Sequence, residues 1–217
     1  MADAPRKPSE HDAYEHVAGL VEGLIPRYGL HASRSLIVQV YEDIFRDALA
    51  FPLGSRPPRP SRINHDGTPI QFAATVGRGP HTLQFLGEPG GPSAGRGERL
   101  RASRACIESV AGRLGLQGDL SSLAPLLDAL APEDDLDLLA EPAGAYWVGA
   151  AFPMGRAPHL RIYVNARWGP MARRWARLDL LAQHLRCAAW PGIAARLAPD
   201  LQPLGVAITL CAGQPPV

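Results

Sequence analysis

Lysine is nearly absent from this chain of 217 residues: Lys7 is the only one, and arginine supplies the rest of the positive charge. Acidic residues balance the arginines, so the formal net charge is only +1 at pH 7. General nucleic-acid-binding proteins usually carry a strong basic excess, and its absence argues against that class. The arginines are suited to binding small anionic groups, because a planar guanidinium makes paired hydrogen bonds to phosphate or carboxylate.

Cysteine is scarce as well. Cys106, Cys187 and Cys211 are far apart, odd in number and without CxxC spacing. This pattern argues against a disulfide framework and against a zinc site. It fits a reducing compartment, so we expect a cytoplasmic protein.

Long apolar runs are missing. The segment MADAPRKPSEHD is polar and lacks the apolar core of a signal peptide. No uninterrupted apolar run approaches the roughly 18 residues that span a bilayer. We therefore expect no membrane association. The hydrophobic fraction of 46% is enough to form a core.

Several catalytic signatures are also absent. The chain has no HExxH helix of a zinc hydrolase and no GxSxG elbow of a serine hydrolase. The stretches GRGPHTL and GEPGGPSAGRG lack the strand-then-helix context of a phosphate loop. Asp134 and Asp135 lie in an acidic stretch rather than in an aspartate-rich motif on a strand, so no metal ligand set is predicted.

Apolar residues at helical spacing predict a helix over about residues 10–27 and another from an N-cap at Ser33 to about residue 49. Further helices are predicted over about residues 98–114 and 170–190, and a short one capped by Ser121 or Ser122 ends near residue 130. Residues 1–9 read as a flexible tail, and residues 10–217 as a single domain.

Strict alternation of apolar and polar residues predicts strands between these helices. TPIQFAATV and HTLQFLGEP flank a glycine-rich turn and read as a β-hairpin, as do AYWVGAAF and HLRIYVNAR. LGVAITLCAG is a final strand. The order of two helices and then two strands predicts an α+β fold, with helices packed on one face of an antiparallel sheet.

One face of these strands is polar. In HLRIYVNAR the apolar residues occupy the even positions, and side chains alternate between the two faces of a strand. The periodicity leaves open whether the polar face meets solvent or lines a cavity. Its residue types favour a cavity, which a sheet curved towards a barrel would enclose. The residues that favour a cavity in this way are Trp147, His159, Tyr163 and Gln84.

Three short segments resemble motifs of the ABBA prenyltransferases, the indole and cyanobactin-peptide families. DGTPIQFAA is similar to their Pro-x-Glu-Phe/Tyr-Ser strand, TLQFLGEP to Val-Arg-Phe-x-x-Glu-Pro, and HLRIYVNAR to the Lys-x-Tyr strand. The resemblance covers most of the chain. It implies a barrel of ααββ repeats with the helices outside.

The resemblance also implies roles. Arg161 and Tyr163 match the basic residue and the tyrosine that bind the diphosphate of an allylic donor, such as dimethylallyl or geranyl diphosphate. Arginine can pair with the phosphate oxygens, and the tyrosine ring can shield an allylic cation. Trp147, His159, Asn165 and Arg167 would then line the substrate cavity.

Two positions depart from the family. Gln71 replaces the glutamate that acts as a base, and Asp66 is the nearby residue that could substitute for it. Gln84 replaces an arginine of the diphosphate site, and Arg78 in the hairpin turn is a candidate to compensate. A glutamine cannot accept the proton that a glutamate would take.

The family barrel usually continues beyond LGVAITLCAG with further strands. The chain is therefore expected to be truncated, to leave its barrel open, or to be completed by a partner chain, and an open edge favours self-association.

Three hypotheses follow. The first is an active prenyltransferase acting on an aromatic or peptide side-chain acceptor. The second is a catalytically weakened relative that serves as a scaffold. The third is an unrelated anion-binding protein. No cofactor is obligatory in any of them, and Mg²⁺ would come only with the diphosphate.

Overall fold

The structure is a computed structural model that describes residues 12–61, 63–64, 66–75, 81–131, 144–167, 169–196 and 205–213. Its helices, numbered α1 to α6, are Ala13–Arg27, Arg34–Phe45, Arg96–Arg113, Gln117–Leu130, Met171–His184 and Trp190–Ala194. Its strands, numbered β1 to β5, are Ile70–Thr75, Thr82–Gly87, Tyr146–Pro153, His159–Asn165 and Gly205–Cys211. A short 3₁₀ helix, His31–Ser33, precedes α2.

The strands form one sheet in the order β1-β2-β3-β4-β5, and every neighbouring pair is antiparallel. The predicted mixture of helices and an antiparallel sheet is confirmed. The described residues form an open sheet with β1 and β5 at its edges, so closure into a barrel stays a prediction.

The core lies between one face of the sheet and the helices. Phe85 on β2 is fully buried at its centre. Its ring lies 6.1 Å from that of Tyr41 and 5.8 Å from that of Phe45, both on α2, and 5.6 Å from that of Phe152 on β3. Edge-to-face and tilted contacts of this kind stabilise the packing beyond the area they bury. They fix which face of the sheet is turned away from the helices.

A buried ion pair anchors the end of β2. The Glu88 carboxylate accepts hydrogen bonds from Arg99 Nη1 at 3.0 Å, from Ser61 Oγ at 2.5 Å and from the backbone N–H of Gly144. Arg99 Nη2 also donates to the carbonyl of Arg59 at 2.7 Å. Both charges are paired and hydrogen-bonded, as buried charges must be. The cluster therefore joins the segments that lead into β1, α3 and β3.

Three predicted helix boundaries are wrong, and the first is the end of α2, which lies at Phe45 rather than near residue 49. The helix expected over residues 170–190 ends at His184, because Arg186 adopts a left-handed conformation with φ of 51° and a new helix starts at Trp190. The helix expected to start at Ser121 or Ser122 begins instead at Gln117. The hydroxyls of both serines bond to backbone carbonyls inside it, so neither caps it.

Several predictions fall on residues outside the described ranges, among them the flexible tail over residues 1–9 and the acidic stretch. Within those ranges no helix is long and apolar enough to cross a bilayer.

Candidate functional site

The residues that alternate with the core residues of the strands form a second surface, called the polar face below. It runs across all five strands on the side away from the helices. Its members are Gln71, Ala73, Thr75, Thr82, Gln84, Leu86, Trp147, Gly149, Ala151, Pro153, His159, Arg161, Tyr163, Asn165, Gly205, Ala207, Thr209 and Cys211. This separation of faces was predicted for HLRIYVNAR.

Arg161 on β4 reaches across β3 to β2. Its Nη1 donates a hydrogen bond to Gln84 Oε1 at 2.7 Å. The path is open because Gly149, its register partner on β3, has no side chain. A Cβ at Gly149 would lie 2.7 Å from the carbonyl oxygen of Phe85. The structure thus brings together two of the predicted diphosphate residues, and Gly149 is a contributor that the sequence reasoning missed.

Arg161 carries a charge that no carboxylate balances within the described ranges. Its hydrogen-bond acceptor is a neutral amide, and its Nε is buried without a partner there. None of the polar-face residues is acidic. A guanidinium stays protonated at any physiological pH, and burying it without a counter-ion is unfavourable. The polar face therefore favours an anionic ligand at this position.

His159 and Tyr163 flank Arg161 along β4, and all three are partly buried. Burial lowers the pKa of His159, and the nearby charge of Arg161 lowers it further. Tyr163 is in register with Trp147 on β3. The indole Nε1 of Trp147 is buried and has no acceptor among the described residues. Two aromatic side chains and an imidazole thus share the polar face with Arg161 on β3 and β4.

Gln71 and Asp66, the residues predicted for proton transfer, lie near the sheet edge. Gln71 is exposed on β1, in register with Leu86 of β2. Asp66 lies in a turn before β1, where it accepts hydrogen bonds from Thr68 N at 2.9 Å and Thr68 Oγ1 at 2.7 Å. These bonds lower the pKa of Asp66, which makes it a weaker base. The catalytic roles stay predictions, and Arg78 lies outside the described residues.

Asn165 and Arg167 sit where β4 ends. Asn165 is buried, its Nδ2 donates to the carbonyl of Gly144 at 3.3 Å, and its Oδ1 accepts from the backbone N–H of Arg167 at 2.9 Å. Arg167 follows the last strand residue, so the alternation of faces no longer applies to it. The roles of both residues in lining a substrate cavity stay predictions.

Two further features concern possible ligands. Among the described residues no group of three or more His, Cys, Asp or Glu side chains is placed to hold a metal ion. A separate groove of about 450 Å³ lies at α5 and α6, and its lining includes Asp179, Cys187 and Trp190. Trp190 Nε1 donates to Asp179 Oδ1 at 2.6 Å there. None of the predicted site residues lines this groove.

No protein-family model matches the sequence, and no curated protein matches it. Solved structures do match the fold. The 6-dimethylallyltryptophan synthase from Micromonospora olivasterospora, solved in complex with DMASPP and Trp, superposes with a TM-score of 0.75 at 21% identity. The match covers 94% of this chain and 57% of the synthase chain.

Two more solved structures share this fold. The 5-dimethylallyltryptophan synthase from Streptomyces coelicolor gives a TM-score of 0.74 at 22% identity, over 96% of this chain and 57% of its own. The prenyltransferase PriB in its apo form gives 0.72 at 20% identity, over 94% and 55%. The predicted resemblance is confirmed at the level of the fold. The chain spans little more than half the length of these structures.

Proposed function

We propose that this chain is, or is part of, a prenyltransferase that moves a dimethylallyl-type group from an allylic diphosphate to an aromatic acceptor. The observation that carries the proposal is Arg161, a partly buried guanidinium on the polar face, which among the described residues hydrogen-bonds to a neutral amide and pairs with no carboxylate. The shared fold supports it, because the Micromonospora synthase was solved with DMASPP and Trp, and PriB with L-tryptophan and dimethylallyl thiolodiphosphate.

The proposed reaction requires the protein to stabilise charge in the transition state, and it requires no nucleophilic side chain. The C–O bond of the donor breaks, and the diphosphate leaves with the bonding electrons. Arg161 and the Tyr163 hydroxyl would stabilise the developing negative charge. The rings of Tyr163 and Trp147, in register on neighbouring strands, would shield the allylic cation. An aromatic carbon then forms the new C–C bond and loses its proton.

The hydrogen bond between Gln84 and Arg161 is compatible with diphosphate binding at Arg161. The amide of Gln84 accepts one N–H of Arg161 and leaves the others for phosphate oxygens. The proposed diphosphate-binding set is completed by Arg78. The proposed substrate-cavity set is completed by His159, Asn165 and Arg167. In this proposal no metal is obligatory, and any Mg²⁺ would arrive with the diphosphate.

A weakened relative that binds the anion without turnover is the second candidate function. It is favoured by Gln71, which cannot accept a proton, and by Asp66, whose carboxylate is occupied in a turn. A peptide side chain is the alternative acceptor for an active enzyme.

Calorimetric titration with dimethylallyl diphosphate tests the proposal. We expect Arg161→Met to weaken binding at least about tenfold, since a hydrogen bond to a charged group contributes about 1.5–3 kcal/mol. Arg156→Met is the matched control, because Arg156 is exposed in the turn between β3 and β4. Binding that is absent, or unchanged by Arg161→Met, refutes both candidate functions. Binding without product across aromatic and peptide acceptors favours the second.

A further inference from the structure

His159 and the guanidinium of Arg161 flank the same part of the polar face. They are two residues apart on β4, so their side chains point to one side and start roughly 6.6 Å apart. Arg161 turns towards Gln84, and Gln84 lies in the same register row as His159, with Ala151 between them. The side chain of Ala151, which separates Gln84 from His159 in that row, is a single methyl group.

Among the described residues of the polar face, His159 has a positively charged neighbour in Arg161 and no acidic one. Arg161 faces it from its own strand, Cys211 from β5, and the neutral Ala151 and Gln84 from β3 and β2. Within the described part of the sheet no carboxylate lies on this face. Burial and the charge of Arg161 together lower the pKa of His159, which favours the neutral imidazole in the empty protein.

Building on the proposed function, we propose that His159 is a cation of the diphosphate site beside Arg161, neutral in the empty protein and protonated when the anion binds at Arg161. A diphosphate carries more than one negative charge, whereas Arg161 supplies a single positive charge. Bound anion would place negative charge beside the imidazole and reverse the effect of the arginine. The proton comes from solvent and adds to a ring nitrogen, and no other bond changes.

Two consequences can be measured. Anion binding takes up as much as one proton, and affinity falls as the pH rises, by at most about tenfold per pH unit. Release of the diphosphate is correspondingly easier when the imidazole gives its proton back. A plain structural role for His159 would produce neither effect.

The experiment titrates the full chain with inorganic sulfate and with inorganic pyrophosphate between about pH 5.5 and 8, the range in which histidine changes charge. Sulfate keeps its charge throughout, so its pH dependence reports on the protein alone. Calorimetry in two buffers of different ionisation enthalpy gives the number of protons taken up. With sulfate we expect uptake approaching one proton in the wild type, and a pH-independent affinity with no uptake in His159→Asn.

His159→Lys is the comparison variant, because a lysine side chain keeps its positive charge over the whole pH range of the titration. Its affinity for sulfate should be nearly independent of pH and no weaker than that of the wild type at the acid end. NMR of the wild-type imidazole needs no variant, and should show His159 titrating at a higher pH with sulfate than without it.

The outcomes separate the two proposals. Binding that depends on Arg161, with equal proton uptake in the wild type and His159→Asn or an unshifted imidazole titration, overturns the role of His159 and leaves the proposed function standing. Failure of the wild type to bind either anion at any pH overturns both.

Discussion

Gly149 is the residue on which the geometry of Arg161 depends, because any side chain there would stand between β4 and Gln84. A Cβ at Gly149 would also press on the backbone of β2. We expect Gly149→Ala to lower the free energy of unfolding by about 1–3 kcal/mol, the usual range for overpacking, and to weaken sulfate binding. Urea unfolding measures the first effect, and calorimetry the second.

Gly23→Ala on α1 is the control for that change. Nothing lies within 4 Å of a Cβ built at Gly23, so this variant should be at least as stable as the wild type. If Gly149→Ala and Gly23→Ala are equally stable, a Cβ at Gly149 does not press on the backbone of β2, and this prediction is wrong.

Gln84 decides whether Arg161 is available to a ligand. Gln84→Glu would place a carboxylate where the amide now accepts a hydrogen bond, and would neutralise the guanidinium internally. We expect sulfate affinity to fall at least about tenfold, as for loss of a charge-assisted hydrogen bond. Gln71→Glu is the comparison, because Gln71 is exposed on the edge strand β1. It should affect anion binding less and, if a missing base limits transfer, should increase product formation.

Acid should destabilise the empty protein through His159. Its pKa is lowered in the folded state, so the unfolded chain takes up the proton first as the pH falls below about 6.5. The free energy of unfolding then falls below that pH, while above it His159 makes no pH-dependent contribution. Urea unfolding from about pH 5 to 7.5 should show a weaker decline in His159→Asn. A decline of the same slope in both proteins would contradict this assignment.

At the scale of the elements, the clearest sequence signals were the alternating strands. The separation of apolar and polar residues in HLRIYVNAR predicted both β4 and the face that carries Arg161 and Tyr163. Helix ends were less predictable. The apolar periodicity of residues 170–190 runs through the break at Arg186, and a serine can cap a helix or bond within it, as Ser121 does.

The contact between Arg161 and Gln84 was beyond the sequence reasoning. The two residues are 77 positions apart, and their meeting depends on the register of β3 between them. Periodicity assigns a side chain to a face but says nothing about which residues on neighbouring strands lie opposite one another.

The Glu88 cluster should make a large contribution to stability, because it joins three elements. Glu88→Gln would remove the carboxylate that pairs with the buried Arg99, and breaking a buried ion pair by removing one partner typically costs 3–5 kcal/mol. Glu22→Gln is the matched control, since the Glu22–Arg34 pair is exposed and pairs of that kind contribute about 0–1 kcal/mol. Urea unfolding compares the two, and similar small losses would show that the cluster is not important to the fold.

At the scale of the whole molecule, the described sheet has two edges, and the chain spans 57% of the Micromonospora synthase structure it matches. Unpaired edges are templates for added strands. We propose that a second copy completes the sheet, with a two-fold axis pairing β5 with β5 and β1 with β1 in antiparallel fashion. Sedimentation equilibrium should then give twice the chain mass of 23.2 kDa. A monomer that binds dimethylallyl diphosphate at every concentration would refute the proposed dimer alone.

The lack of acidic residues on the polar face bears on what happens after a reaction cycle. The positive charge of Arg161, which no acidic residue of the polar face opposes, attracts the diphosphate group. That group is present both in the allylic donor and in the bare diphosphate left behind, so this attraction gives little preference to the donor. Sulfate or phosphate in a buffer would compete in the same way. In the proposed transfer, the released diphosphate would therefore compete with the donor for Arg161.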